Sequence, residues 1–155
     1  MPIKSGRLDR MTTSFTLTFD CAAPGRMAAF WCEALGYVPA GPPAGFDSWE
    51  QWLRAFAVPE EEWDDGAAIE DPSGTGPRIS FLKVPEPKTA KNRVHLDVQA
   101  GGGRAVPWET RWPRVRATAD RLIAAGATVL TEAELDGHLD HIVLADPEGN
   151  EFCVV

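Results

Sequence analysis

A strand, a helix and further strands occur twice in this chain, in the same order. FTLTFD (15–20), the helical stretch PGRMAAFWCEALG (24–36), a weak strand signal at Tyr37–Ala40 and ISFLKV (79–84) can be laid beside VHLDVQ (94–99), PRVRATADRLIAAG (113–126), Thr128–Thr131 and NEFCVV (150–155). The strands are marked by alternating apolar and polar residues, because successive side chains on a strand point to opposite faces. They are expected at Phe15–Asp20, Arg78–Val84, Arg93–Val98, His141–Ala145 and Glu151–Val155. The first helix carries Met27, Phe30, Trp31, Ala34 and Leu35 at helical spacing, with Pro24 in its first turn and Gly36 just past its end. Trp31 belongs to that core stripe. The second carries Val115, Ala119, Leu122 and Ile123, with Pro113 at its start and Gly126 at its end. In this overlay Thr16 falls on His95 and Ser80 on Glu151. The match is mostly apolar pattern, so the residues alone leave duplication and coincidence both open.

With 155 residues, 44% of them hydrophobic, the chain has material for one domain with a real core. We read residues 1–13 as a disordered leader and 14–155 as a single domain, module one over about 14–85 and module two over about 92–155. A net charge of -8 without any basic cluster argues against nucleic acid or a membrane surface as partner. Cys21, Cys32 and Cys153 are scattered, without CxxC spacing, and read as reduced, small core residues in a cytoplasmic protein.

Two stretches interrupt the repeat. The first, PPAGFDSWEQWLRAFAVPEEEWDDGAAIEDPSGTG (42–76), holds a short helix with Ser48 as cap, Gln51 completing a capping box, and an apolar stripe of Trp49, Trp52 and Phe56. The second, AGGGRAVPWETRW (100–112), is a glycine-rich connection carrying Trp108 and Trp112. Tryptophans in long connections need something to pack on, and a lid or a dimer contact would supply it.

NRVHLDV (92–98) sets Arg93, His95 and Asp97 on one side of a strand and Val94, Leu96 and Val98 on the other. The same alternation sets Thr16, Thr18 and Asp20 opposite Phe15, Leu17 and Phe19, and Glu151 and Cys153 opposite Phe152 and Val154. Such a shared polar face lines a cup if the sheet is curved, and merely meets water if it is flat. His95 and Glu151 carry the most chemistry. Imidazole nitrogen and carboxylate oxygen both bind divalent metals, at roughly 2.0–2.2 Å for zinc, and they also make a hydrogen-bonded general base. A strand histidine satisfied by a neighbour is the plainer alternative. The segment Asp146-Pro147-Glu148-Gly149-Asn150 has the residues of a tight turn between two apolar alternating runs, so it predicts a hairpin that aims Glu151.

FTLTFDCAAPGRMAAFWCEALGY, NRVHLDV and VLADPEGNEFCVV together resemble the vicinal oxygen chelate superfamily, in particular its glyoxalase-like, bleomycin-resistance-like single-domain members. The resemblance runs from Phe15 to Val155, interrupted by both insertions. It implies an α+β fold of two βαβββ modules whose curved mixed sheet forms a cup, often buttressed by dimerisation, so a homodimer is expected. Metal-using members place ligands on the first and last strand of each module. By that pattern His95 and Glu151 are the metal ligands of module two, whereas Thr16 and Ser80 stand where module one would supply His, Gln or Glu. Hydroxyls are poor ligands for Zn²⁺, Ni²⁺ or Fe²⁺, so half the usual set is missing unless Asp20 or Asp97 supplies a third.

Two functions follow from the resemblance. In one, the chain is a divalent-metal-dependent lyase, isomerase or dioxygenase. A Zn, Ni, Fe or Mn ion on His95 and Glu151 polarises a small substrate, Glu151 doubles as base, and Trp49 and Trp52 close the cup. In the other, it is a metal-free protein that sequesters an antibiotic or another aromatic or cationic compound, favoured by the missing ligands and the many aromatic rings. Either way, Thr16, Thr18, Asp20, Trp49, Trp52, Ser80 and Asp97 are the expected substrate-binding residues. An interaction domain presenting the acidic PEEEWDDG stretch is a third alternative.

Overall fold

The computed structural model describes residues 12–155, so all but the last two residues of the expected leader lie outside them. The elements run β1 (Leu17–Cys21), α1 (Pro24–Leu35), β2 (Val38–Pro39), α2 (Trp49–Ala55), β3 (Gly66–Glu70) and β4 (Ile79–Lys83). They continue with β5 (Asp97–Val98), α3 (Trp108–Ala124), β6 (Thr128–Leu135), β7 (His138–Ala145) and β8 (Glu151–Val154). Leaving α2 aside, each half is a βαβββ unit. The two sheets have equivalent orders, β1-β4-β3-β2 and β5-β8-β7-β6, with β1 parallel to β4, β5 parallel to β8, and the remaining pairs antiparallel. The repeat in the sequence is therefore a repeat in the fold.

Helix α1 begins and ends where its residues dictate. Pro24 occupies the first turn, and Gly36 closes the helix in a left-handed conformation (φ 69°), its N–H donating to the Cys32 carbonyl at 2.9 Å. Helix α2 follows the capping-box expectation: the Gln51 amide donates to Ser48 Oγ at 3.1 Å, while the Gln51 side chain accepts from the Asp47 amide at 2.6 Å. Helix α3 differs from expectation. It starts at Trp108, with the Thr110 and Arg111 amides donating to the Pro107 carbonyl, so Pro113 lies inside it. The connection thus ends before the tryptophans, and Trp108 anchors the helix by donating from Nε1 to the Leu139 carbonyl at 2.7 Å.

Four strand assignments also change. Strand β3 falls inside the stretch read as insertion, because Gly-Ala-Ala carries no β-branched signal; its place between β2 and β4 supplies the pairing instead. Strands β6 and β7 extend to a two-residue turn at Asp136 (φ 52°) and Gly137 (φ 79°), the pair of positive φ values that a tight hairpin requires. Strand β5 is shorter than Arg93–Val98, pairing only at Asp97 and Val98. A further sign of duplication is that Asp-Pro opens the last hairpin turn of both modules. Asp71 accepts from the Ser73 and Gly76 amides at 2.8 and 2.7 Å, and Asp146 accepts from the Glu148 and Asn150 amides at 2.9 Å each.

Helix α1 packs on the first sheet and α3 on the second, and one core runs through both. Trp31 joins the modules, its ring centroid 5.2 Å from Phe19 of β1 and 5.0 Å from Phe152 of β8. Met27, Phe30, Trp31, Phe81 and Phe152 are buried, each stabilising the fold by roughly 1.5–3 kcal/mol. Of the three free thiols only Cys21 is fully buried; burial, with Glu148 and Asp20 nearby, pushes its pKa up to about 11. Cys32 and Cys153 are half-buried rather than core residues.

The hairpin turn of module two also caps the helix of module one. The Ala22 and Ala23 amides donate to the Glu148 carboxylate at 2.7 and 2.8 Å, at the positive end of α1. Glu148→Ala should therefore cost about 1–2 kcal/mol, read as a lower urea midpoint with unchanged slope.

Candidate functional site

At the junction of the two sheets lies a cleft of about 830 Å³, within the size range of small-molecule sites. Strand β1 forms one wall, the start of β8 another, and the 84–96 linker between the modules folds back as the third. Leu17, Phe19, Val84 and Val94 contribute apolar surface to it, with the buried Trp31 and Phe152 behind them. Its polar groups are predominantly acidic: Asp20, Glu86, Glu148 and Glu151 against Lys88 and Arg93.

The carboxylates have different states. Glu148 is committed to the Ala22 and Ala23 amides just ahead of α1. Glu151 accepts from the Asn92 amide at 3.0 Å and from Lys88 Nζ at 3.1 Å. The backbone hydrogen bond from Asn92, helped by the Lys88 ammonium, lowers the Glu151 pKa to about 2, so the group is an anion at any physiological pH. Asp20 is exposed, with no side-chain partner among the described residues.

Of the residues singled out in the sequence, Thr18, Asp20 and Glu151 come together at this cleft. Ser80 stands opposite Thr18 in the β1–β4 register without lining it, and Thr16 is exposed just before β1. Trp49 and Trp52 lie outside it. They form an edge-to-face pair, centroids 5.7 Å apart, on a lobe where Trp52 also stacks on Phe56 at 5.1 Å. Asp97 pairs in register with Cys153, and burial, together with the Asp97 charge, raises that thiol's pKa. His95 is exposed and absent from the lining. Had β5 continued two residues toward its start, the parallel register Asp97↔Cys153 would have set His95 beside Glu151. The ladder stops instead with the Cys153 amide on the Leu96 carbonyl at 2.9 Å, and the chain bends away at Arg93 and Val94.

Sequence reasoning missed Lys88, Asn92 and Glu86, which reach the cleft from a linker without periodicity. It also assigned Glu148 only to a turn. The one available signal was the density of charge in VPEPKTAKN (84–92), which by itself reads as a solvated loop.

A model of the glyoxalase-like domain matches residues 16–155. The chain belongs to the glyoxalase-like domain family. Solved structures agree on the fold. A possible glyoxalase from Bacillus cereus superposes with a TM-score of 0.57 at 14% identity, covering 94% of this chain and 99% of that one. A glyoxalase/bleomycin resistance protein/dioxygenase family enzyme from Burkholderia phytofirmans gives 0.55 at 18% identity, covering 90% and 94%. A mutant of the fosfomycin resistance protein FosX from Listeria monocytogenes, solved with Mn(II) and 1S,2S-dihydroxypropylphosphonic acid, gives 0.55 at 12% identity, covering 93% and 90%. Among curated proteins none matches.

Among the described residues of this glyoxalase-like chain, the donors gathered at the cleft fit a divalent metal poorly. The described residues contain no group of three His, Cys, Asp or Glu able to hold one. The Lys88 ammonium sits on the one carboxylate, Glu151, that the family pattern would assign as ligand. Among the described residues no helix is long and apolar enough to cross a membrane.

Proposed function

We propose that this glyoxalase-like protein binds a small organic molecule with an apolar body and a positive charge in the cleft between β1 and the inter-module linker, without a metal ion. The observation that carries this reading is the pairing of apolar walls, Leu17, Phe19, Val84 and Val94, with the exposed Asp20 carboxylate in one cleft of about 830 Å³. Apolar contact supplies affinity there, and the acidic rim selects for positive charge. Metal-assisted chemistry on His95 and Glu151 has less support, since Glu151 already holds an ammonium and His95 lies outside the lining. Thr18 and Asp20 of β1 are the substrate-binding residues of this reading.

The test is a thermal-shift titration with cationic aromatic compounds, run with EDTA and again with Mn²⁺, Ni²⁺ or Zn²⁺. A bound compound at a hundred times its Kd should stabilise the fold by about 2.7 kcal/mol, equally under all these conditions. Asp20→Asn should weaken binding about fivefold, the ~1 kcal/mol of a partly solvated charge contact. Stabilisation that disappears in EDTA, or no stabilisation by any such compound, would overturn the reading.

A further inference from the structure

We propose that the ligand enters through a primary ammonium group that binds the Glu151 carboxylate, and that Lys88 of the linker occupies this subsite until the ligand displaces it. The inference rests on the small-molecule reading of the cleft and names the chemistry that the cleft selects.

Glu151 is built to receive a cation. It stands at the first residue of β8, where Ala145↔Glu151 pairing holds its backbone, and the Asn92 amide at 3.0 Å orients its carboxylate. Its side chain is 14% exposed and that of Lys88 is 25% exposed, so the contact is sheltered yet reachable. A sheltered carboxylate needs a counter-charge, and the cation it holds is a compact ammonium rather than a planar guanidinium.

The group that supplies this ammonium is only loosely attached to the rest of the fold. Besides Glu151, Lys88 Nζ donates to the Ala90 carbonyl at 2.6 Å, within its own loop. The loop pairs with no strand from Pro85 to His95, and its first ladder contact is the Leu96 carbonyl on the Cys153 amide, so withdrawing Lys88 breaks no strand pairing. A ligand ammonium taking its place meets the same carboxylate, with Phe19, Val84 and Val94 in the same cleft for an apolar body and Asp20 for a second positive charge. Lys88 is thus a competitor tethered at the mouth of its own site. It lowers the apparent affinity by the fraction of time that it fills the subsite.

Calorimetric titration with naphthylethylamine and its uncharged counterpart naphthylethanol separates charge from shape. Lys88→Met should tighten the amine about tenfold while changing the alcohol by no more than about twofold, since only the amine competes for the vacated carboxylate. Glu151→Gln, which keeps an acceptor for the Asn92 amide, should abolish the preference for amine over alcohol. Equal tightening of both compounds by Lys88→Met, unchanged amine affinity, or a preference that survives Glu151→Gln overturns the proposal. If the alcohol binds wild type and Lys88→Met but the amine binds neither, the ammonium subsite is excluded and the cleft reading stands. If neither compound binds any folded variant, both are overturned.

Discussion

Replacing Asp146 by alanine should lower the unfolding free energy by about 3–5 kcal/mol, among the largest single-site losses expected in this protein. The residue is 3% exposed, yet its carboxylate satisfies donors from three residues. The Glu148 and Asn150 amides donate at 2.9 Å each, Asn150 Nδ2 at 2.9 Å, and the Trp31 indole at 3.3 Å. Trp31 is itself only 1% exposed, so its N–H would be left without water or partner. The same cut loosens the turn that positions both Glu148 and Glu151. Urea unfolding followed by far-UV circular dichroism measures the loss, and in a domain of this size the melting temperature should fall on the order of 10 °C. Asp146→Asn should recover part of it, because an amide oxygen still accepts from the two turn amides. A loss below about 1 kcal/mol for alanine would mean that water replaces the carboxylate.

Asp140→Ala should cost a similar amount for a different reason. Asp140 lies on β7, 3% exposed, and accepts from Arg111 Nη1 at 2.9 Å and Arg104 Nη2 at 3.0 Å, with His141 Nδ1 at 3.1 Å. Arg111, on α3, has a side chain only 12% exposed, and its Nε has no partner among the described residues. Deleting the carboxylate leaves that guanidinium charged and uncompensated in the seam between α3 and the second sheet, which costs about 3–5 kcal/mol. Removing both partners, as Asp140→Leu with Arg111→Met, should cost clearly less than Asp140→Ala alone, a non-additivity that chemical denaturation would reveal. The pair also sets an acid limit. Burial pushes the Asp140 carboxyl upward, but the hydrogen bonds from Arg111 and His141 and the charges of Arg104 and Arg111 outweigh it and hold its pKa below the ordinary value. A carboxyl depressed in the folded state contributes stability above its unfolded pKa of about 3.9 and loses it as pH falls toward the folded value. The wild type should therefore weaken below about pH 4 more steeply than Asp140→Ala.

The local rules held for α1, α2 and the β7–β8 turn, and failed at Pro113, which lies inside α3 rather than at its start. Gly36 and Pro24 bound α1, Ser48 and Gln51 cap α2, and Asp146-Pro147 with Gly149 turns β7 into β8. These are contacts between residues at most a few positions apart, so their spacing in the chain already contains their geometry. Period-two alternation placed Thr18, Asp20 and Glu151 on exposed or half-buried sides of their strands for the same reason. Strand β3 escaped because its alanines prefer no strand conformation and adopt one only between two partners.

What the sequence by itself determined through short-range pattern is the bounds of α1, the cap of α2 and the turn between β7 and β8, while the resemblance carried by FTLTFD, NRVHLDV and VLADPEGNEFCVV implied the paired βαβββ modules and the glyoxalase-like family. What only the tertiary structure decided is which polar groups meet. His95 and Glu151 share a periodicity, but the β5 ladder ends at Asp97, and the linker it releases carries Lys88 and Asn92 to Glu151 instead. No spacing in the chain encodes that exchange. It depends on where one parallel ladder stops pairing, and on a sheltered carboxylate taking the nearest ammonium and amide that a free loop can deliver.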